Sequence, residues 1–86
     1  MITTIELLDM LKEEADLPSD YAVAKFLNVT HQAVSRWRNG KVMSEEIAIK
    51  VARVLNIDED VVILSNLAEK QTNDKAKQAL LKLMAS

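Results

Sequence analysis

Four hydrogen-bonding side chains recur at helical spacing near the middle of the chain. They are His31, Gln32, Ser35 and Arg36. At about 100° per residue, the last three lie on one side of a helix, opposite the apolar Val34 and Trp37. An arginine can bond bidentately to guanine and a glutamine to adenine, and a serine suits either base or a close backbone approach. Because this side carries no acid that would repel phosphates, the pattern predicts a helix that reads base edges of double-stranded DNA.

Charge is distributed unevenly along a chain that is acidic overall, with a net charge of −2 over 86 residues. Residues 1–20 carry six acids and one base, residues 21–43 carry four bases and no acid, and residues 44–86 carry six bases and seven acids. A surface that binds phosphates needs local rather than global positive charge. The middle third therefore favours contact with nucleic acid, and the alternative is that a short acid-free stretch arose by chance.

Capping residues and apolar periodicity divide the chain into short helices that must position these side chains. Five helix starts carry typical N-cap residues, namely Thr3, Ser19, Thr30, Ser44 and Asp58. A sixth helix is expected from Asp74 to Ala85, and the other five are expected to end near Glu14, Leu27, Arg38, Asn56 and Gln71. One glycine and one proline leave little material for hairpins. We therefore expect an all-α fold, a compact bundle of five to six short helices forming one domain over residues 1–86.

The segment 20–37 has the pattern of two short helices joined by a tight turn. A small residue is required where the two backbones approach, and Ala24 supplies it. Asn28 tolerates a positive φ better than most residues, so it suits the turn. Val34 and Trp37 supply apolar anchors on the second helix. This arrangement is typical of a helix-turn-helix.

The same stretch closely resembles the helix-turn-helix of the phage repressor and Cro family, which has the lambda repressor-like fold. The family's small-residue, turn and buried-valine positions fall at Ala24, Asn28 and Val34, and the ending Val-Ser-x-Trp-x-x-Gly is also similar. Asn28 departs from the glycine that is usual at that turn. The resemblance covers about residues 3–56, which we take as the DNA-binding core.

Roles for individual side chains follow from the resemblance and from their chemistry. The family positions that face bases fall at Gln32, Ser35 and Arg36, and His31 at the helix start reads a base or supports a neighbour. Phosphate contacts are expected from polar groups around the reading helix. The candidates are Arg38, Asn39 and Lys41 after that helix, with Tyr21 and the amides near Ser19 before it. For Asn39 the alternative is that it only caps the helix.

Other classes of function find less support in the sequence. The chain has no cysteine and one histidine, so we expect no enzyme active site, no metal and no cofactor. No apolar run reaches the roughly 18 residues of a membrane span, so we expect a cytoplasmic protein without membrane contact. The chain is too short for a second, ligand-sensing domain, and no small-molecule ligand is expected. The main alternative is a protein-interaction module of the anti-repressor type on the same scaffold, and RNA binding is a third.

Residues 57–86 offer more apolar surface than one small core can use. Val62 lies off the apolar stripe of helix 5, and Leu81 lies off that of helix 6. Surface of this kind commonly marks a partner site. We therefore expect these helices to form a two-fold dimer interface, with the candidate residues Val62, Leu80, Leu81 and Met84. The alternative is that helix 6 only packs on its own core.

Together these observations predict a small regulator of transcription that binds an inverted-repeat operator as a homodimer. Repression by occupying a promoter is the expected mode of action. Size and resemblance point to a phage, prophage or plasmid regulator. Control would come from its own concentration, from competition at the operator or from a partner protein.

Overall fold

Six α-helices make up the computed structural model, which describes residues 1–85. They are α1 (Thr4–Glu14), α2 (Asp20–Leu27), α3 (His31–Arg38), α4 (Glu45–Leu55), α5 (Glu59–Lys70) and α6 (Asp74–Ala85). The described residues contain no strand. The prediction of an all-α bundle of five to six helices is confirmed, and each helix ends within one residue of the predicted position.

Local hydrogen bonds fix where the first five helices begin. At the start of α1, the Thr3 hydroxyl accepts from the Glu6 amide at 3.2 Å and the Glu6 carboxylate accepts from the Thr3 amide at 3.1 Å. The other four N-cap side chains likewise accept from amides in the first turn, and these residues are Ser19, Thr30, Ser44 and Asp58. Each cap satisfies a backbone donor that has no partner within the helix. Short-range sequence therefore marks where these five helices begin.

The hydrophobic core lies between α1, α2, α3, α4 and one side of α5. Its largest fully buried apolar side chains are Leu8, Leu11, Leu27, Met43, Val23, Val34, Val51 and Val62. Burying a side chain of this size contributes roughly 1.5–3 kcal/mol relative to leaving it exposed. Most of the apolar residues that the N-terminal helices supply are therefore committed to one core.

Val62 corrects a prediction, because its side chain is only 1% exposed and packs in the core. The sequence pattern predicts this residue on the surface because it lies off the apolar stripe formed by Leu64, Leu67 and Ala68 of helix 5. The buried side of α5 instead carries Val62 together with the polar Ser65 and Asn66, and Leu67 is 39% exposed. The apolar stripe gave the wrong side because the buried side of α5 includes polar residues.

The turn between α2 and α3 follows the helix-turn-helix pattern. Asn28 has φ 57° and ψ 45°, which places it in the left-handed region. The Val29 amide donates to the Ala24 carbonyl at 2.9 Å, closing the end of α2. Lys50 Nζ on α4 donates to the neighbouring Leu27 carbonyl at 3.1 Å. Ala24 of α2 is buried in the core, and α2 packs against α3.

An ion-pair cluster ties the end of α3 to α1 and α2. Arg38 donates to Asp20 through Nε and Nη2, at 3.1 and 3.0 Å, and through Nη1 to Asp9 at 2.7 Å. Lys12 Nζ lies 3.6 Å from the Asp20 carboxylate. The hydrogen bonds that Arg38 donates to Asp20 hold the pKa of Asp20 below its usual value and raise the pKa of Arg38. The cluster fixes the direction of α3.

Helix α6 packs against α5 without joining the core. The Ser65 hydroxyl lies 3.6 Å from the Met84 sulfur, which it contacts as a donor. None of the residues of α6 described in the structure is buried, although Leu80, Leu81 and Met84 are half-buried. Part of the predicted dimer surface, at Met84, therefore contacts α5 of the same chain.

The first prediction concerns the close contact of α2 with α3. Ala24→Leu should lower the free energy of unfolding by roughly 1–3 kcal/mol because the larger side chain overpacks a buried site. Ala79→Leu, at an exposed position of α6, is the matched control and should leave stability nearly unchanged. Urea unfolding of both variants measures the difference. Equal stabilities would show that Ala24 is not at a close contact.

The second prediction concerns the Arg38 cluster. Asp20→Asn should lower the free energy of unfolding by about 1 kcal/mol at neutral pH, because one charged partner of Arg38 is lost. Since the native pKa of Asp20 is lowered, its contribution is present above the ordinary aspartate pKa of about 3.9 and is lost as pH falls through the native value. The two unfolding curves should therefore converge in acid.

Glu13→Gln is the control for this experiment. It removes one exposed acid from α1 that makes no ion pair among the described residues. A loss of stability equal to that of Asp20→Asn would contradict a specific role of the cluster, and so would a difference that persists at low pH.

Candidate nucleic-acid interface

Helix α3 buries one side and presents the other to solvent. Val34 and Trp37 are 0% and 7% exposed, and both pack in the core. The opposite side exposes the side chains that the sequence analysis assigned to base reading, which are His31, Gln32, Ser35 and Arg36. The structure therefore brings these four residues together on one exposed surface, which we call the reading face.

Side chains of the reading face are free to bind an external partner. Among residues 1–85, the side chains of Gln32, Ser35 and Arg36 make no hydrogen bond or ion pair. They present donors and acceptors to solvent without an acid between them. An arginine and a glutamine on adjacent turns can each bond bidentately to a base edge. The reading face has the chemistry required to contact the major groove.

An aromatic contact joins the start of α3 to α2. The Tyr21 and His31 rings meet edge-to-face, with centroids 5.9 Å apart, and Lys25 Nζ lies 4.9 Å from the Tyr21 ring centroid. Tyr21 is 57% exposed. Ser19, at the start of α2, accepts from the Ala22 amide at 3.1 Å. The contact places the imidazole of His31 against α2, which fits a role in supporting the reading face.

The segment after α3 is held by its own backbone. The Lys41 amide donates to the Arg36 carbonyl at 3.0 Å, and Gly40 takes a φ of 104° that favours glycine. Asn39 Nδ2 donates to the Ser35 carbonyl at 2.7 Å, so this side chain caps α3. The exposed side chain of Lys41 makes no polar contact with the rest of the described chain. Lys41 is therefore a cation available to a phosphate at the edge of the reading face.

Arg38 differs from Arg36 and Lys41 because its guanidinium is engaged within the chain. Asp9 of α1 and Asp20 of α2 both form ion pairs with this guanidinium. Arg38 is predicted to contact phosphate because it lies at the end of the reading helix, but its partners in the structure lie 29 and 18 residues away in the sequence. A phosphate would have to compete with two carboxylates for this guanidinium, which connects α3 to α1 and α2.

Two other kinds of feature are absent from residues 1–85. These residues contain no group of three or more His, Cys, Asp or Glu side chains that could hold a metal ion. No helix in this range is long and apolar enough to cross a membrane.

Comparison with known proteins agrees with this geometry. A family model described as helix-turn-helix matches residues 11–62, from the middle of α1 to the first turn of α5. No curated protein and no solved structure gives a significant match to the chain. The matched segment is more than half of the chain and contains α2, α3 and the turn between them. The chain therefore belongs to the helix-turn-helix family of DNA-binding transcriptional regulators.

Proposed function

We propose that the protein is a sequence-specific repressor that inserts α3 into the major groove of its operator. The observation that carries the proposal is the reading face, an exposed surface without acids whose Gln32, Ser35 and Arg36 side chains have no partner among the described residues. In this proposal Arg36 bonds to guanine and Gln32 to adenine. Ser35 lies between them and allows close approach of the backbone.

Phosphate contacts flank the reading face on both sides. Lys41 lies after α3 with a free ammonium group. Tyr21 and the amides near Ser19 lie at the start of α2, where the helix dipole favours an anion. Asn39 offers less, because its amide nitrogen is already bonded to Ser35. These contacts would fix the register of α3 in the groove without reading sequence.

A second copy of the chain is the partner that we propose for α5 and α6. One reading helix contacts only a few base pairs, and helix-turn-helix proteins commonly double the site by pairing. Helix α6 has no buried residue, and α5 leaves Val61 and Leu67 41% and 39% exposed. Burying this apolar surface between two copies would favour association. Leu80 and Leu81 remain candidates for the interface. Val62 is no longer a candidate because its side chain is buried in the core.

Repression by occupancy is the mode of action that we propose for this dimer. A bound dimer on an inverted repeat with half-sites about 34 Å apart would cover one face of a promoter. A reporter gene driven by that promoter should be less active when the protein is present. Increased expression would instead identify an activator.

The third prediction separates base reading from phosphate binding on an operator selected from a random pool of DNA duplexes. Gln32→Ala and Arg36→Ala should each reduce the preference for that operator by roughly 1–3 kcal/mol because one bidentate contact is lost. Lys41→Ala should weaken binding to all sequences and flatten the logarithmic salt dependence by about one unit. Titrations at several salt concentrations measure both effects.

Lys75→Ala is the matched control for the lysine variant, because it removes the same charge from an exposed position of α6. It should change neither specificity nor salt dependence appreciably. If both reading-face variants bind the operator as tightly as the unmodified protein, α3 does not read the sequence. Binding that is insensitive to salt would instead favour a polypeptide partner.

The fourth prediction concerns the dimer. Leu81→Glu should shift the protein from dimer to monomer in sedimentation at micromolar concentration, because a carboxylate would be desolvated in the interface. Val54→Glu adds the same charge at an exposed apolar residue of α4 and should remain dimeric. Unmodified protein that sediments as a monomer, both free and on its operator, would contradict the proposal.

A further inference from the structure

Helix α5 carries three polar side chains that bond to segments far away in the sequence. Ser65 Oγ accepts from the Ile2 amide at 3.1 Å, and the Glu69 carboxylate accepts from the amide and hydroxyl of Thr4 at 2.9 and 2.8 Å. Asn66 Nδ2 donates to the Met43 carbonyl at 2.8 Å. Ser65, Asn66 and Thr4 are buried. These bonds connect α5 to the N-terminal segment and to the loop between α3 and α4.

The loop between α3 and α4 is fixed at both ends around Lys41. On the α3 side, the Lys41 amide bonds to the Arg36 carbonyl. On the α4 side, the Met43 amide donates to Thr4 Oγ1 at 3.3 Å, while the Met43 carbonyl accepts from Asn66. Both peptide groups of Met43 are thus held by side chains, and its own side chain is fully buried. The exposed Lys41 side chain extends from a loop whose course these bonds determine.

We propose that Asn66 is a positioning residue for DNA binding, which acts by holding the loop that carries Lys41. Asn66 is 3% exposed, so it does not touch DNA itself. Its hydrogen bond holds the Met43 peptide in place. The position of this peptide determines where the ammonium group of Lys41 meets the phosphate backbone. Thr4 contributes from the other side of the same peptide. The inference rests on the proposed phosphate contact of Lys41.

Only one of the two polar atoms of the Asn66 side chain is hydrogen-bonded, which distinguishes this residue from one that only fills the core. Its Nδ2 donates to Met43, whereas its buried Oδ1 has no partner among the described residues. A buried polar atom without a hydrogen bond destabilises the fold relative to an apolar group of the same shape. Asn66 therefore contributes through its bond to Met43. Asn66→Leu removes that bond while keeping a side chain that branches at Cγ.

A double-mutant cycle on DNA affinity tests the proposal with the full-length protein. Asn66→Leu should weaken binding to the selected operator and to an unrelated duplex alike, by about two- to tenfold, which corresponds to the loss of one hydrogen-bonded contact. It should also flatten the salt dependence, as Lys41→Ala does. In the Lys41→Ala background it should have almost no further effect, because the group that it positions is already absent.

Matched variants show whether the effect passes through the loop. Ser65→Ala removes the neighbouring polar group of α5, which bonds to Ile2 and to Met84 rather than to the loop, and should change neither affinity nor salt dependence. Thr4→Val removes the bond to the Met43 amide and the hydroxyl's bond to Glu69, while the Thr4 amide still bonds to Glu69. It should behave as Asn66→Leu does, which keeps the test usable if Asn66→Leu does not fold. Circular dichroism confirms that each variant is folded before its affinity is compared.

Failure of this inference is distinguishable from failure of the proposed function. If Lys41→Ala weakens binding and Asn66→Leu weakens it equally in both backgrounds, the positioning role is wrong and the phosphate contact stands. Unchanged binding by folded Asn66→Leu and Thr4→Val leads to the same conclusion. If Lys41→Ala leaves binding and salt dependence unchanged, the phosphate contact is wrong and the positioning role falls with it.

Discussion

An eight-residue helix is too short to be stable in water by itself, and this constraint governs the rest of the structure. Helix α3 is held by packing on one side, while its other side, for which we propose contact with DNA, stays exposed. Val34 and Trp37 provide the packing, and the turn at Asn28 sets the angle at which α2 supports it. The core of α1, α2 and α4 serves as the platform that makes a short exposed helix rigid.

Electrostatics divides the basic residues around α3 into two groups. Arg38 is neutralised within the chain by Asp9 and Asp20, so its charge stabilises the fold. Arg36 and Lys41 have no such partner among the described residues, so their charge is available to DNA. The same residue type is thus paired within the chain at one position and free two residues away, where we propose that it binds DNA. Acids on α1 and α2 determine which of the two arginines is paired.

What could be predicted from the sequence is what depends on neighbouring residues. N-caps such as Thr30, and the left-handed turn at Asn28, are local features, and the helix boundaries followed from them. The pairing of Arg38 depends on residues 18 and 29 positions away, which no local pattern reveals. The direction of α5 was misjudged because its buried side carries Ser65 and Asn66, and an apolar stripe is an unreliable guide where the core includes polar groups.

The uneven distribution of charge along the chain has a kinetic consequence for the proposed binding of DNA. Residues 1–20 carry six acids and one base, and Glu6, Glu13 and Glu14 are exposed on α1, whereas residues 21–43 carry four bases and no acid. Acids and bases that are concentrated in different helices give a molecule a dipole, and the field of DNA turns a dipole as the two molecules approach. In the proposed mode of binding, encounters with the basic segment forward would be more frequent than random collisions allow. A protein that is acidic overall would in this way still associate quickly with DNA.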